Sequence, residues 1–164
     1  MSDSLLPKEI VDLARRVVEA NITAGRTIAL AESCTGGLVA AAVTEIAGSS
    51  AVLDRSYVTY SNEAKQQMLG VAGDIIDAFG AVSIACVYAM AEGALKRSDA
   101  DVAVAISGIA GPEGGSPKKP VGTVVFAKAI RGGEKDAEQR IFADQDRAGV
   151  RLQATLVALE LLLP

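Results

Sequence analysis

The sequence predicts an α/β fold, a single three-layer α/β/α domain over residues 1–164 built around a mixed, largely parallel sheet. Short apolar runs of strand length alternate with longer segments whose apolar residues recur at helical spacing. Two further strand-length runs near the C-terminus flank Arg131-Gly132-Gly133, a hairpin signal. The length of 164 residues, half of them apolar, suits one domain with one substantial core.

Taken in order, Pro7 suits the first turn of a helix, and Ile10, Leu13, Ala14, Val17 and Val18 repeat at helical spacing towards a stop near Gly25. Residues 27–31 (TIALA) read as a strand buried on both faces. A polar turn, Glu32-Ser33-Cys34-Thr35-Gly36-Gly37, hands over to a small-residue helix at 38–47, stopped by Gly48. Residues 56–60 (SYVTY) have the β-branched and aromatic density of a strand, and Asn62 is placed to cap a helix carrying Glu63, Lys65 and Met68. A helical patch surrounds Ile75, Ile76 and Phe79, after which Ser83 caps a longer helix from Ile84 to about Lys96. Residues 101–107 (DVAVAIS) predict a further strand. The segment 108–120 concentrates glycine and proline into a loop longer than most connections, and such loops are usually functional or mobile. Residues 121–130 and 137–143 form the hairpin, and an amphipathic helix at 150–163 closes the chain.

Composition excludes several kinds of chemistry. Sixteen basic against twenty acidic residues give a net charge of −4, which argues against a nucleic-acid partner held by massed Lys and Arg. The chain has no histidine, so Ser-His-Asp triads, Cys-His dyads and imidazole metal sites are all excluded. Cys34 and Cys86 are too few for a four-thiolate zinc site and form no C-x-x-C pair, so no metal is expected. No export signal or apolar run of about 18 residues is present, which leads us to expect a cytoplasmic protein with no membrane partner.

Ligands of open α/β sheets bind at the carboxyl ends of strands, and Ser33, Tyr60 and Ser107 all fall at such ends. Ser33 lies where a strand meets a helix, near backbone N–H groups of Thr35, Gly36 and Gly37 that suit an anion or oxyanion. Equally, Ser33 or Thr35 could simply cap the helix. A nucleophilic Ser33 needs a proton acceptor, and without imidazole the candidates are Lys65, Tyr60 and a carboxylate, with Glu32 nearest in sequence. The plainer readings are a solvated Lys65, a half-buried Tyr60, and a Glu32 that charges the site rim or makes a local salt bridge. A lysine base working near pH 7 must lose about 4.6 kcal/mol of its preference for the charged form, by desolvation or a second cation. A relay with Tyr60 bridging Ser33 and Lys65 is the milder alternative. Cys34 is a rival nucleophile, but strand alternation turns it to the other face, and both it and Cys86 read as small buried hydrophobes. The loop from Gly111 to Ser116, followed by Lys118 and Lys119, suits a phosphorylated ligand, although the G-x-x-x-x-G-K-[ST] pattern is absent. Arg147 and Arg151, one helical turn apart, could reach a phosphate together or stand solvated.

Four ordered blocks carry a resemblance to a known family: AESCTGG at 31–37, VTYSNEAK at 58–65, SGIAGPEGG at 107–115 and PVGTV at 120–124. Across nearly its whole length the chain resembles the CinA C-terminal domain family, which includes the bacterial nicotinamide-nucleotide amidohydrolases. The resemblance implies deamidation of nicotinamide mononucleotide to nicotinate mononucleotide and ammonia, with no metal or redox cofactor. It also implies roles, with Ser33 as nucleophile, Lys65 and Tyr60 as its activating partners, and Ser107 and Arg147 at the site. Thr35 and Gly36 are expected to hold the oxyanion, and Gly111 and Arg147 the 5′-phosphate. Many members resemble Gly-Asp-Arg where this chain has Gln145-Asp146-Arg147, so a different local turn is expected there. Longer members add an N-terminal pyrophosphatase partner, which is absent from these residues. A homo-oligomer, in the first instance a dimer, is expected, and the small-residue face Val39 to Val43 permits close packing within the domain or between subunits. Two other readings stand beside this one, a non-catalytic pyridine-nucleotide sensor and a general amidase or esterase indifferent to phosphate.

Overall fold

A computed structural model describes residues 4–164. Its strands are β1 (Ile28–Glu32), β2 (Leu53–Val58), β3 (Val102–Gly108), β4 (Thr123–Ile130) and β5 (Lys135–Ile141). The α-helices are α1 (Lys8–Ala24), α2 (Leu38–Thr44), α3 (Asn62–Leu69), α4 (Gly73–Phe79), α5 (Ile84–Lys96) and α6 (Arg147–Leu161). The sheet order is β2-β1-β3-β4-β5. β1 pairs in parallel with β2 and β3, while β4 pairs antiparallel with β3 and β5, so β4 alone runs against the other four strands. The expected α/β architecture with a mixed sheet is what forms. Because β1 lies between β2 and β3 and parallel to both, the carboxyl ends of all three open at one edge, where ligands of such sheets sit.

The two faces of the sheet differ in side-chain size. Ile28, Leu30, Val104, Ile106, Val124 and Phe126 meet α1, α2 and α6 on one face. Ala29, Ala31, Ala103, Ala105, Ala127 and Ala129 meet α5 and the ends of α3 and α4 on the other. Alanine keeps α5 close to the sheet, and glycine brings α3 close to α5. A Cβ at Gly93 of α5 would collide with the Leu69 carbonyl at the end of α3, so the two backbones touch. In α2, Val39, Ala42 and Val43 are buried, which places the small-residue face inside the domain.

Boundaries shift where an element is exposed or capped unexpectedly. β2 runs over Leu53–Val58 rather than 56–60, because at the sheet edge its exposed Asp54 and Arg55 give no apolar signal. β5 likewise starts two residues early, on exposed Lys135 and Asp136. α2 stops at Thr44, short of the expected 47. Ser61, not Asn62, caps α3, its Oγ accepting from the Ala64 N–H at 3.0 Å. α6 begins at Arg147 instead of 150, because Asp146 caps it by accepting from the Gly149 N–H at 2.7 Å. The turn ahead of α6 passes through Asp144 at φ 58°, a left-handed conformation that aspartate tolerates better than most residues.

Candidate active site

Strand alternation sorts the residues at the end of β1. Glu32 points with Ile28 and Leu30 towards α2, and Ser33 points to the α5 side. The Ser33 N–H donates to the Ile106 carbonyl at 3.0 Å, holding the residue against β3, and its own carbonyl accepts from the Gly36 N–H at 3.0 Å. Gly36 and Gly37 are both left-handed, at φ 58° and 100°, which turns the chain directly into α2.

Ser33 and Lys65 meet directly. Lys65 sits in the first turn of α3 and is only 1% exposed, while Ser33 is 7% exposed. Its Nζ lies 3.0 Å from Ser33 Oγ, 2.8 Å from the Thr59 carbonyl oxygen and 3.2 Å from the Tyr60 carbonyl oxygen. The described residues give Lys65 no carboxylate partner. Burial therefore lowers its pKa, against a smaller opposing pull from the thiols of Cys86 and Cys34. This replaces the solvated lysine with a desolvated one.

Tyr60 takes a different position from the relay sketched above. The residue is 60% exposed, and its hydroxyl accepts from the Arg147 guanidinium at 3.1 Å. Arg147 also donates to the Gly111 carbonyl at 2.7 Å, tying α6 to the glycine-rich loop. The phenol therefore faces Arg147 across the mouth and does not bridge Ser33 and Lys65.

Ser33, Tyr60, Lys65, Ser107 and Arg147 line one cleft of ≈ 200 Å³. Ser107 is 1% exposed and donates to the Ala81 carbonyl at 2.9 Å, bringing the α4–α5 connection up as the far wall. Ala110 and Arg147 also border a neighbouring groove of ≈ 690 Å³ that runs past Pro112 and Val121. Among the described residues no carboxylate lines the cleft, although the chain as a whole carries −4. Among the described residues no group of three or more Cys, Asp or Glu could hold a metal ion, and no helix is long and apolar enough to cross a membrane.

Other expected residues lie elsewhere. Thr35 is fully buried with its hydroxyl donating to Glu32 at 2.7 Å, the Gly36 N–H donates to the Ser33 carbonyl, and neither residue is among those that line the cleft. Glu32 is neither on the rim nor in a salt bridge. It is fully buried and accepts from the N–H groups of Val39 and Ala40, at 3.0 and 3.1 Å, with the hydroxyls of Thr35 and Ser56 completing its shell. Arg151 donates to the carbonyls of Cys34 and Thr35, which ties it to the turn. Cys34, against the expectation from strand alternation, lines the same cleft as Ser33, but it is buried and burial pushes its thiol up to about 11, too high for a thiolate nucleophile. Sequence reasoning missed Asn62, Ala81 and Val82 as cleft residues. Asn62 was legible as a helix start, but nothing local marks Ala81 or Val82.

The model of the CinA C-terminal domain matches residues 10–164. The chain belongs to the CinA C-terminal domain family. It is 52% identical over 162 residues to the nicotinamide-nucleotide amidohydrolase PncC of Escherichia coli (strain K12), covering 99% of this chain and 95% of that protein. The PncC of Enterobacter agglomerans is 48% identical over 153 residues, covering 93% of each chain. Among solved CinA-type structures, the competence/damage inducible protein CihA of Agrobacterium tumefaciens superposes with a TM-score of 0.94 at 50% identity, covering 97% of this chain and 96% of that one.

Proposed function

We propose that this chain is a nicotinamide-nucleotide amidase, hydrolysing nicotinamide mononucleotide to nicotinate mononucleotide and ammonia in pyridine-nucleotide recycling. The relatives named for that activity support the reaction, and the Ser33–Lys65 contact supports the mechanism. Of the three oxygens around Lys65 Nζ, the carbonyls of Thr59 and Tyr60 can only accept. A neutral amine gives them its two N–H groups, and its lone pair is left for the Ser33 hydroxyl. Burial without a counter-ion favours that neutral form.

Lys65 takes the Ser33 proton directly as Oγ attacks the carboxamide carbon, then passes a proton to the departing nitrogen as ammonia leaves. A water deprotonated by the same amine opens the acyl ester, releasing the carboxylate and restoring Ser33. Arg147, held by Tyr60 and Gly111 at the mouth, receives the anionic end of the nucleotide. The side-chain amide of Asn62 in the same cleft offers a donor to the developing oxyanion.

The test is ammonia release from nicotinamide mononucleotide, with nicotinate mononucleotide identified as the product. Ser33→Ala is expected to lose at least about 10³-fold in kcat and to keep nucleotide binding. Preserved turnover in that variant overturns the serine mechanism. A silent wild type that still binds the nucleotide favours the sensor reading, and equal rates on nicotinamide riboside favour a general amidase.

A further inference from the structure

The loop between β3 and β4 contains two cations that the mechanism above does not use, Lys118, which is exposed, and Lys119. From residue 112 to 120 every side chain is exposed except Lys119, which folds back towards the body of the domain. Its backbone is fixed by a reciprocal pair, the Ser116 N–H donating to the Lys119 carbonyl at 2.8 Å and the Lys119 N–H to Ser116 Oγ at 3.1 Å. The side chain crosses to the α4–α5 connection, where Nζ donates to the Phe79 carbonyl at 2.8 Å. A Cβ at Gly80 would lie 3.5 Å from the same nitrogen. The next two residues, Ala81 and Val82, are the cleft wall that Ser107 holds in place. Lys119 thus stands against the two residues that lead into this wall, Phe79 and Gly80.

An ammonium has three N–H groups, and the protein accepts one of these. The described residues give Lys119 no carboxylate, and none of them puts a carboxylate on the cleft whose wall follows Gly80. Of the other cations nearby, Lys65 is inside with Ser33, Arg151 donates to the Cys34 and Thr35 carbonyls, and Lys118 is exposed on the loop. We infer that Lys119 is a second phosphate-reading residue of the cleft, closing on the substrate phosphate opposite Arg147 and selecting the nucleotide over its dephosphorylated nucleoside. The inference rests on the amidase reading above. It assigns the discrimination between phosphorylated and unphosphorylated substrates to the loop that β3 and β4 carry as well as to the helix that carries Arg147.

Steady-state kinetics of wild type, Lys119→Met and Lys119→Arg on nicotinamide mononucleotide and on nicotinamide riboside test it. Loss of one charge-assisted contact is expected to raise KM for the nucleotide about 10- to 100-fold in Lys119→Met, with kcat nearly unchanged. The riboside kcat/KM is expected to stay within about twofold, which also reports that the variant folds, and Lys119→Arg is expected to recover most of the nucleotide KM. Equal losses on both substrates would make Lys119 a strap for the loop and overturn the inference. Inorganic phosphate, titrated calorimetrically into wild type and Lys119→Met, separates the two readings. If wild type leaves the nucleotide intact, the amidase reading fails on its own, and Lys119-dependent phosphate binding still upholds the anion site. Phosphate affinity that is absent, or identical in the two proteins, overturns it.

Discussion

Replacing Glu32 by glutamine tests how the nucleophile is held. The carboxylate is fully buried, and each of its oxygens receives one backbone N–H, Val39 on Oε1 and Ala40 on Oε2. Hydroxyls of Thr35 and Ser56 add a second donor to each oxygen, and a hydroxyl can reverse its role where a backbone N–H cannot. Glutamine must turn its NH₂ towards one oxygen position or the other, so either orientation opposes a donor with a donor. One backbone N–H is left unpaired in a buried place, and the negative charge at the start of α2 is lost as well. Together these cost about 2–4 kcal/mol. In a domain of this size that lowers Tm by about 5–15 °C. Calorimetry and urea unfolding of Glu32→Gln beside wild type measure it directly. Because Ser33 follows in the chain, kcat is expected to fall by up to about 10²-fold as the turn relaxes. A stability change below about 0.5 kcal/mol would refute the assignment of Glu32 as the anchor of this turn.

Two further outcomes follow from the site. Lys65 has a folded pKa below its ordinary value, so between the two values the unfolded chain binds more protons and wild-type stability rises with pH. Lys65→Met removes that dependence, so its Tm relative to wild type is expected to be highest near neutral pH and to decline towards about pH 10, while activity is lost. A difference that is flat with pH contradicts the desolvated lysine. Cys34→Ala is expected to keep kcat within about threefold at a cost of about 1 kcal/mol, and iodoacetamide at neutral pH is expected to leave the wild type active. Rapid inactivation by alkylation would return Cys34 to the list of nucleophiles.

The strand-end positions of Ser33 and Ser107 were legible because they depend on local patterns of apolar runs and turn residues. The direct contact of Ser33 with Lys65 was not, since it depends on how α3 seats against α5 through Leu69 and Gly93, far apart in the chain. Tyr60 and Arg147 illustrate the same limit. Both were singled out, yet their mutual hydrogen bond spans 87 positions and redirects the phenol from the relay to the mouth. Glu32 was misread because its donors belong to a helix that begins only at Leu38, and a carboxylate satisfied by backbone amides leaves no complementary charge in the sequence. Arg151 looked like an anion ligand for the opposite reason, since its charge is visible and the carbonyls that occupy it are not.

The alanine-paved face of the sheet has a bearing on how the enzyme can vary. Leucine or phenylalanine can rotate about χ angles to absorb a small displacement of a neighbour, whereas alanine and glycine have no such freedom. On the side that carries Ser33 and Lys65, the sheet's alanines and the Gly93–Leu69 backbone contact therefore leave little freedom in the height of α5 above the sheet and of α3 against α5. The reach of Lys65 to the serine is set by parts that act as fixed shims. Saturation mutagenesis scored for turnover should consequently find some of its least permissive positions at Ala31, Ala105 and Gly93, in a layer that never meets the substrate. Matching positions on the isoleucine- and leucine-rich face should accept exchange among aliphatic residues. Variation in this fold would then accumulate on one side of the sheet and stall on the other.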